Sequence, residues 1–185
     1  MMKNWVANDY PGTKLAITEY NWGGQESMSG ALAQADILGI FGREGLDIGT
    51  LWGSPDPVTQ IPGLVAFEVF RNYDGDKSTF GDQAITSTSA DQSKLSVYGA
   101  LRSKDNMLTV VVINKTYGDF TDTVSLANIT AAGPAQSFLY SSANLKAIVA
   151  QPNVNITVPS GGGTASTLSM TFPAQSITIL VIPKA

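Results

Sequence analysis

Two rhythms in one chain predict a mixed fold, an α/β segment followed by an all-β one. Up to Tyr73, strand-like apolar runs alternate with stretches of helical periodicity. Beyond Phe80 that periodicity disappears, glutamate does not recur after Glu68, and Ser, Thr, Val and Ile dominate. Alternating strands and helices build right-handed parallel units, in doubly wound sheets or in a (β/α) barrel. Short strands separated by polar breaks build an antiparallel sandwich. With 185 residues, 43% of them hydrophobic and 14% charged, the chain suffices for one good-sized domain or two small ones.

In chain order, residues 9–13 are a turn around Pro11-Gly12, and residues 15–20 a short buried strand ended by Gly23-Gly24. Residues 29–44 follow as a helix whose only polar stripe runs through Asp36, Gly39 and Arg43, so the helix is expected to be largely covered. Ser27 or Ser29 can cap its start and Gly45 can stop it. Residues 46–52 read as a second strand and residues 62–73 as a second helix, with Pro62 suited to its first turn and Gly75 placed as a stop. The expected strands after that are residues 95–102, 107–114, 122–126, 135–141, 154–158, 168–172 and 176–182. Ser160-Gly161-Gly162-Gly163 lacks the following Gly-Lys-Ser/Thr of a phosphate loop and opens no helix, so it reads as a hairpin connection.

Composition removes several functions. A net charge of −4 with eleven scattered basic residues gives no footprint for nucleic acid or for an anionic membrane. The chain has no histidine and no cysteine, which excludes Ser-His-Asp and Cys-His triads, thiolate zinc sites and disulfide frameworks. Chemistry must then use carboxylates, hydroxyls, amides or lysine. The first ten residues carry no apolar signal core and no later run reaches membrane-spanning length, so the chain as it stands is expected to be soluble without an export address.

Glu19 is the one glutamate at the end of a strongly apolar, strand-like run. In a parallel (β/α) unit the C-terminal strand end faces the active site, and glycosidic hydrolysis needs a carboxylate pair, held about 5–5.5 Å apart in retaining enzymes. Glu19 fits the nucleophile or base of such a pair; the competing reading is a strand-end glutamate bonded to a neighbouring arginine. Trp52 ends the next strand, and Tyr20 and Trp22 add aromatic surface beside Glu19. Sugar rings present apolar C–H faces that suit aromatic platforms, although each of these rings alone could equally be core or rim. Partners for Glu19 are scarce. Glu26 and Asp56 lie in loops and read as loop or capping carboxylates, Asp47 begins its strand and faces the opposite end, and no convincing general acid is present.

Two further patterns carry little weight. Asp74-Gly75-Asp76 with Ser78 hints at a calcium loop, but the sixth position is not glycine and Ile85 replaces the final glutamate. Asn114-Lys115-Thr116, Asn128-Ile129-Thr130 and Asn155-Ile156-Thr157 match the glycosylation acceptor pattern, which arises by chance in a Thr-rich segment.

The run Tyr10-Pro11-Gly12-Thr13-Lys14-Leu15-Ala16-Ile17-Thr18-Glu19-Tyr20-Asn21-Trp22-Gly23, continuing through Ser29 to Gly45, resembles glycoside hydrolase family 44, the endo-β-1,4-glucanases of which some also act on xylan and xyloglucan. The similarity extends to Thr50-Leu51-Trp52, Phe70-Arg71-Asn72-Tyr73-Asp74-Gly75 and Pro173-Ala174-Gln175-Ser176-Ile177-Thr178. The resemblance implies a retaining glycosidase built from a TIM-like barrel and an antiparallel β-sandwich. Residues 1–76 are then the last two (β/α) units of the barrel, and 77–185 the sandwich domain. Glu19 matches the nucleophile on what resembles the seventh barrel strand, Trp52 the tryptophan ending the eighth, and Tyr20, Trp22 and Trp52 would line the glucan site. The family's acid/base glutamate lies on an earlier strand, and no segment of this chain matches it. The isolated chain is therefore expected to be inactive, and to self-associate, to pair with the missing upstream barrel segment, or to be a piece of a longer product. The implied substrate is a β-glucan polysaccharide, the implied source a secreted bacterial enzyme. No cofactor is needed for the chemistry, with structural calcium left open. The alternative function is a non-catalytic β-sandwich module with a vestigial barrel remnant, serving carbohydrate binding or structural support.

Overall fold

The computed structural model of the chain describes residues 2–158 and 165–185. The Ser160–Gly163 stretch read as a hairpin connection lies outside the described residues. In order, the elements are α1 (Met2–Asp9), β1 (Ala16–Tyr20), α2 (Met28–Glu44), β2 (Ile48–Leu51), α3 (Ile61–Arg71), β3 (Gln83–Ile85), β4 (Leu95–Arg102), β5 (Met107–Asn114), β6 (Phe120–Leu126), β7 (Ala135–Ser141), β8 (Asn144–Val154), β9 (Ser166–Phe172) and β10 (Ser176–Pro183). The chain is mostly β-sheet with few helices.

Its centre is β10, Ser-Ile-Thr-Ile-Leu-Val-Ile-Pro, in which β-branched residues favour extended backbone and both faces are apolar. Antiparallel pairing with β5 on one side and β7 on the other satisfies its backbone groups. The result is a six-stranded sheet of order β3-β4-β5-β10-β7-β8. Because side chains alternate along a strand, Ile177, Ile179 and Val181 enter one core and Leu180 and Ile182 another. The first core is closed by Ala31, Leu32 and Ala35 of α2 and Val65, Ala66 and Val69 of α3. The second is closed by Leu126, Leu168 and Phe172, carried by a two-stranded antiparallel ribbon of β6 and β9. Helices and ribbon thus cover opposite faces of the same sheet. Each fully buried aliphatic side chain contributes about 1.5–3 kcal/mol.

Local signals set the helix ends. Ser27 caps α2, its hydroxyl accepting from the Gly30 N–H at 3.2 Å, and Gly45 closes it with φ 62°, donating its N–H to the Gly42 carbonyl. Pro62 sits in the first turn of α3, where its missing N–H costs nothing.

The polar stripe of α2 lies where it was not anticipated, against the sheet. Asp36 accepts from the Tyr98 hydroxyl at 2.6 Å and pairs with Lys115 Nζ at 2.8 Å, and Lys115 also donates to Ser96. Gly39 backs directly onto the Tyr98 ring, and the Arg43 guanidinium stands 6.0 Å above the ring centre. Burial, reinforced by the hydrogen bond to Asp36, pushes the Tyr98 hydroxyl well above its ordinary range, so it remains a donor. The stripe turns inward because Tyr98 of β4 and Lys115, just past β5, meet Asp36, while the Tyr98 ring lies under Arg43, which also donates to Gln92.

The strand at residues 15–20, expected to be buried, is exposed from Ala16 to Glu19, with Tyr20 alone covered. It pairs in parallel with β2 only, and β2 is likewise open, so no third strand flanks either edge among the described residues. Three elements were not anticipated: α1, the three-residue β3, and β8. The strand expected at residues 154–158 begins where β8 ends, and Thr157 makes only an isolated bridge to Thr167. β8 is an edge strand carrying Pro152 at a register irregularity, the setting in which a strand tolerates proline. The acceptor-like Asn114 is fully buried, its Nδ2 lying 2.9–3.0 Å from the carbonyls of Gly118, Phe172 and Pro173.

A Cβ on Gly39 would stand 2.4 Å from the Tyr98 ring, which is itself tethered to Asp36. Alanine is favoured over glycine within a helix by about 1 kcal/mol, but overpacking a core costs about 1–3 kcal/mol. Gly39→Ala is therefore expected to lower the stability measured by urea unfolding; an increase would contradict this packing.

Candidate active site

β1 and β2 are held together at both ends by side chains. At their start, Asp47 accepts from the Leu15 N–H at 2.9 Å and from Lys14 Nζ at 3.0 Å. Those two contacts hold its carboxyl below the usual range, the Leu15 N–H foremost. At their far end the Trp52 N–H donates to the Tyr20 carbonyl at 2.8 Å, and Asn21 Nδ2 donates to the Trp52 carbonyl at 2.8 Å. Asn21 Oδ1 in turn accepts from the Gly23 N–H at 2.7 Å. Ile17 pairs with Gly49 and Tyr20 with Leu51, so three steps on β1 face two on β2. This irregularity spans Glu19, and bulges of this kind recur beside active sites because they re-aim a side chain.

Helix α2 touches the pair at Tyr20 and beside Gly49. Tyr20 is buried there, its hydroxyl accepting from Gln34 Nε2 at 2.9 Å and its ring set edge-on to Phe41 at 5.3 Å. Gly49 leaves room for the Phe41 ring, which a Cβ would meet at 2.9 Å. Around Glu19 the register irregularity interrupts simple alternation, and from Ala16 to Glu19 the side chains of both faces lie open. Glu19 is exposed, and among the described residues no lysine or arginine pairs with it. Among the described residues the arginine-bonded alternative for this glutamate is not seen. Trp22 and Trp52 flank it in sequence and across the strand pair, exposed by 61% and 65%, and the Trp22 ring lies 6.4 Å from that of Tyr20.

The other carboxylates have other work. Asp56 accepts from the N–H groups of Thr59 and Val58 and from the Thr59 hydroxyl, and these bonds, Thr59 first, hold its carboxyl low. A carboxyl kept ionised in this way is unsuited to donating a proton. Glu26 is exposed in the loop before α2. Asp74 accepts from the N–H groups of Asp76 and Ser78 in a local turn. Among the described residues, no three His, Cys, Asp or Glu side chains lie close enough to hold a metal ion, and no helix is long and apolar enough to cross a membrane. Sequence reasoning overlooked Asn21. Its signal was the Asn-x-Gly spacing of Asn21 and Gly23, in which the side chain bonds the backbone two residues on.

No family model matches the chain. It is 40% identical over 119 residues to endoglucanase A of Paenibacillus lautus, a match covering 64% of this chain and 17% of that protein. The solved structure of CelM2, a bifunctional glucanase-xylanase from a metagenome library, agrees with a TM-score of 0.88 at 47% identity, over 99% of this chain and 33% of that one. A Paenibacillus polymyxa xyloglucanase of glycoside hydrolase family 44 agrees with a TM-score of 0.85 at 27% identity, over 100% of this chain and 35% of that one. The proteins that this chain resembles in sequence and fold belong to the glycoside hydrolases. Within that class, the chain is similar to enzymes of family 44, so the resemblance read from its motifs stands. It spans about a third of the length of these solved enzymes and about a sixth of the Paenibacillus lautus protein.

The chain has three tryptophans, and Trp5, Trp22 and Trp52 are all more than half exposed. Emission from the native chain should therefore be nearly as red as from the unfolded chain, and acrylamide should quench it almost as readily. A blue-shifted, protected native spectrum would contradict the open face.

Proposed function

We propose that this chain is the C-terminal part of a retaining glycoside hydrolase that cleaves β-1,4-glucan, with Glu19 as its nucleophile. The observation that carries the reading is the exposed Glu19, without an ion-pair partner among the described residues, near the carboxyl end of a parallel strand whose neighbour runs out just before Trp52. Residues 1–76 are read as the last two (β/α) units of a TIM-like barrel and residues 77–185 as its β-sandwich. In such a barrel the carboxyl ends of the strands form the catalytic face.

The chemistry follows from the two-carboxylate scheme. The Glu19 carboxylate attacks the anomeric carbon while a second, protonated carboxyl gives its proton to the departing glycosidic oxygen. Water then releases the glycosyl group from Glu19, aided by the same second residue acting as base. Trp22 and Trp52 offer the sugar rings apolar platforms, and Tyr20, read from the resemblance as a third lining ring, stands tilted beside Trp22. The reaction needs no cofactor. The proton donor belongs to the upstream part of the barrel, and its loss removes help typically worth about 10²–10⁴ in rate. The natural setting is outside a bacterial cell, where polymeric glucan is found.

Incubation with carboxymethylcellulose and measurement of reducing ends tests the reading. The chain alone should be inactive, the chain supplemented with the upstream barrel segment active, and Glu19→Gln inactive even when supplemented. Glucan binding without hydrolysis in every case would favour the non-catalytic β-sandwich module instead.

The two-stranded parallel sheet also leaves both its edges and most of its surface unpartnered among the described residues, which invites association. Size-exclusion chromatography should show species larger than a 185-residue monomer, collapsing to a stoichiometric complex when the upstream segment is added. A clean monomer at low concentration would count against this part of the proposal.

A further inference from the structure

We propose that Asn21 is the positioning residue of this site, fixing the distance between the Glu19 carboxylate and the Trp52 ring without itself touching the sugar. The inference rests on the reading of Glu19 and Trp52 as nucleophile and platform, and it adds a device that holds them in register.

The amide of Asn21 has only one satisfactory orientation. The Trp52 carbonyl can only accept and the Gly23 N–H can only donate, so Nδ2 must face the first and Oδ1 the second. Tyr20 and Leu51 form the last pair of the strand ladder. Beyond it the chains part, one into the loop leading to α2 and the other into the loop leading to α3. The Trp52 N–H still reaches back to the Tyr20 carbonyl, and Asn21 closes the reciprocal side by holding the Trp52 carbonyl. One side chain therefore ties the residue carrying the platform to a backbone point two residues from the nucleophile. It simultaneously pins the turn that carries Trp22, through the Gly23 N–H.

The need for such a tie is set by the register irregularity. Regular pairing is interrupted between Ile17 and Tyr20, so the ladder itself does not fix Glu19 against β2. Reactions of this type are sensitive to placement, and an error of about 1 Å can cost about 10²-fold in rate. A clamp just beyond the bulge restores the constraint that the bulge removes.

The test uses the chain itself with Asn21→Asp and Asn21→Leu. The ionised carboxyl of the first keeps the bond to Gly23 but loses the donor to Trp52; the second loses both. In the free chain, amide hydrogen exchange at Trp52 should accelerate about tenfold in both variants, while that of Ile179 in the central strand stays unchanged. Cellohexaose, followed by tryptophan quenching, should bind about fivefold more weakly to both variants at pH 7, with melting temperatures like that of the parent. Lowering the pH below about 4 should restore binding to Asn21→Asp, whose introduced carboxyl then donates again, but not to Asn21→Leu. Unchanged exchange at Trp52 overturns the clamp. Faster exchange with unchanged cellohexaose affinity overturns the positioning role. Failure of the parent chain itself to bind cellohexaose strikes the functional reading and takes the positioning role with it, whereas failure of the proposal alone shows only in the variants.

Discussion

The structure depends on β10 being apolar on both faces. A strand with one apolar face needs one covering layer; β10 needs two, and the chain provides them from opposite directions in sequence. Helices from the N-terminal half cover one side, and the ribbon of β6 and β9 covers the other. The part of the chain that bears Glu19 is thereby fastened to the part that does not. Val65, Ala66 and Val69 of α3 lie in the same core as Ile177 and Ile179, so the two halves read from the sequence share one interior. The Asp36, Tyr98 and Lys115 group adds a polar fastening at that junction. Removing Asp36 or Lys115 alone would strand a partly buried charge, which is costlier than the pair is worth.

Seen from that junction, the strand-end site is the loosely held part of the molecule. β1 and β2 meet α2 only around Tyr20 and Gly49 and are otherwise open among the described residues, whereas parallel strands ordinarily need cover on both faces. Their ends are held by discrete side-chain bonds, Asp47 at one and Asn21 at the other, with Tyr20 the one buried side chain of β1. Catalytic side chains need an open face, so the absence of cover is compatible with use. The cost is that geometry there relies on a few hydrogen bonds, each worth about 0.5–1.5 kcal/mol net.

Much of this was legible in the sequence because local chemistry decided it. Ser27 and Gly45 bracket α2 by capping, Pro62 marks the start of α3, and the Val- and Ile-rich runs of β5 and β10 admit little but strand. What could not be read depends on neighbours remote in sequence. β8 carries Lys146, Gln151 and Pro152 because it lies at a sheet edge, a position that sequence composition does not announce. The inward turn of the Asp36 stripe depends on Lys115 and Tyr98, 79 and 62 residues away. An apolar strand such as residues 16–20 looks buried from its composition, and its exposure follows only from knowing that β2 is its one partner. Glu19 and Trp52 were singled out from their place at strand ends and Trp22 as aromatic surface beside Glu19, and the structure leaves all three exposed. The hydrogen bond of Asn21 depends on a carbonyl 31 residues further along.

The buried corner at Asn114 has a practical consequence for producing this protein. Asn-Lys-Thr is an acceptor sequence, and a eukaryotic secretory pathway reads such tripeptides on the nascent chain, before folding hides them. Nδ2 of Asn114 is the atom that the native corner points at three carbonyls, where no glycan could fit. A sugar attached there during synthesis would keep β5 from closing on the loop before β10, so a host without this modification, or an Asn114-sparing Thr116→Val change, becomes a matter of yield rather than of taste.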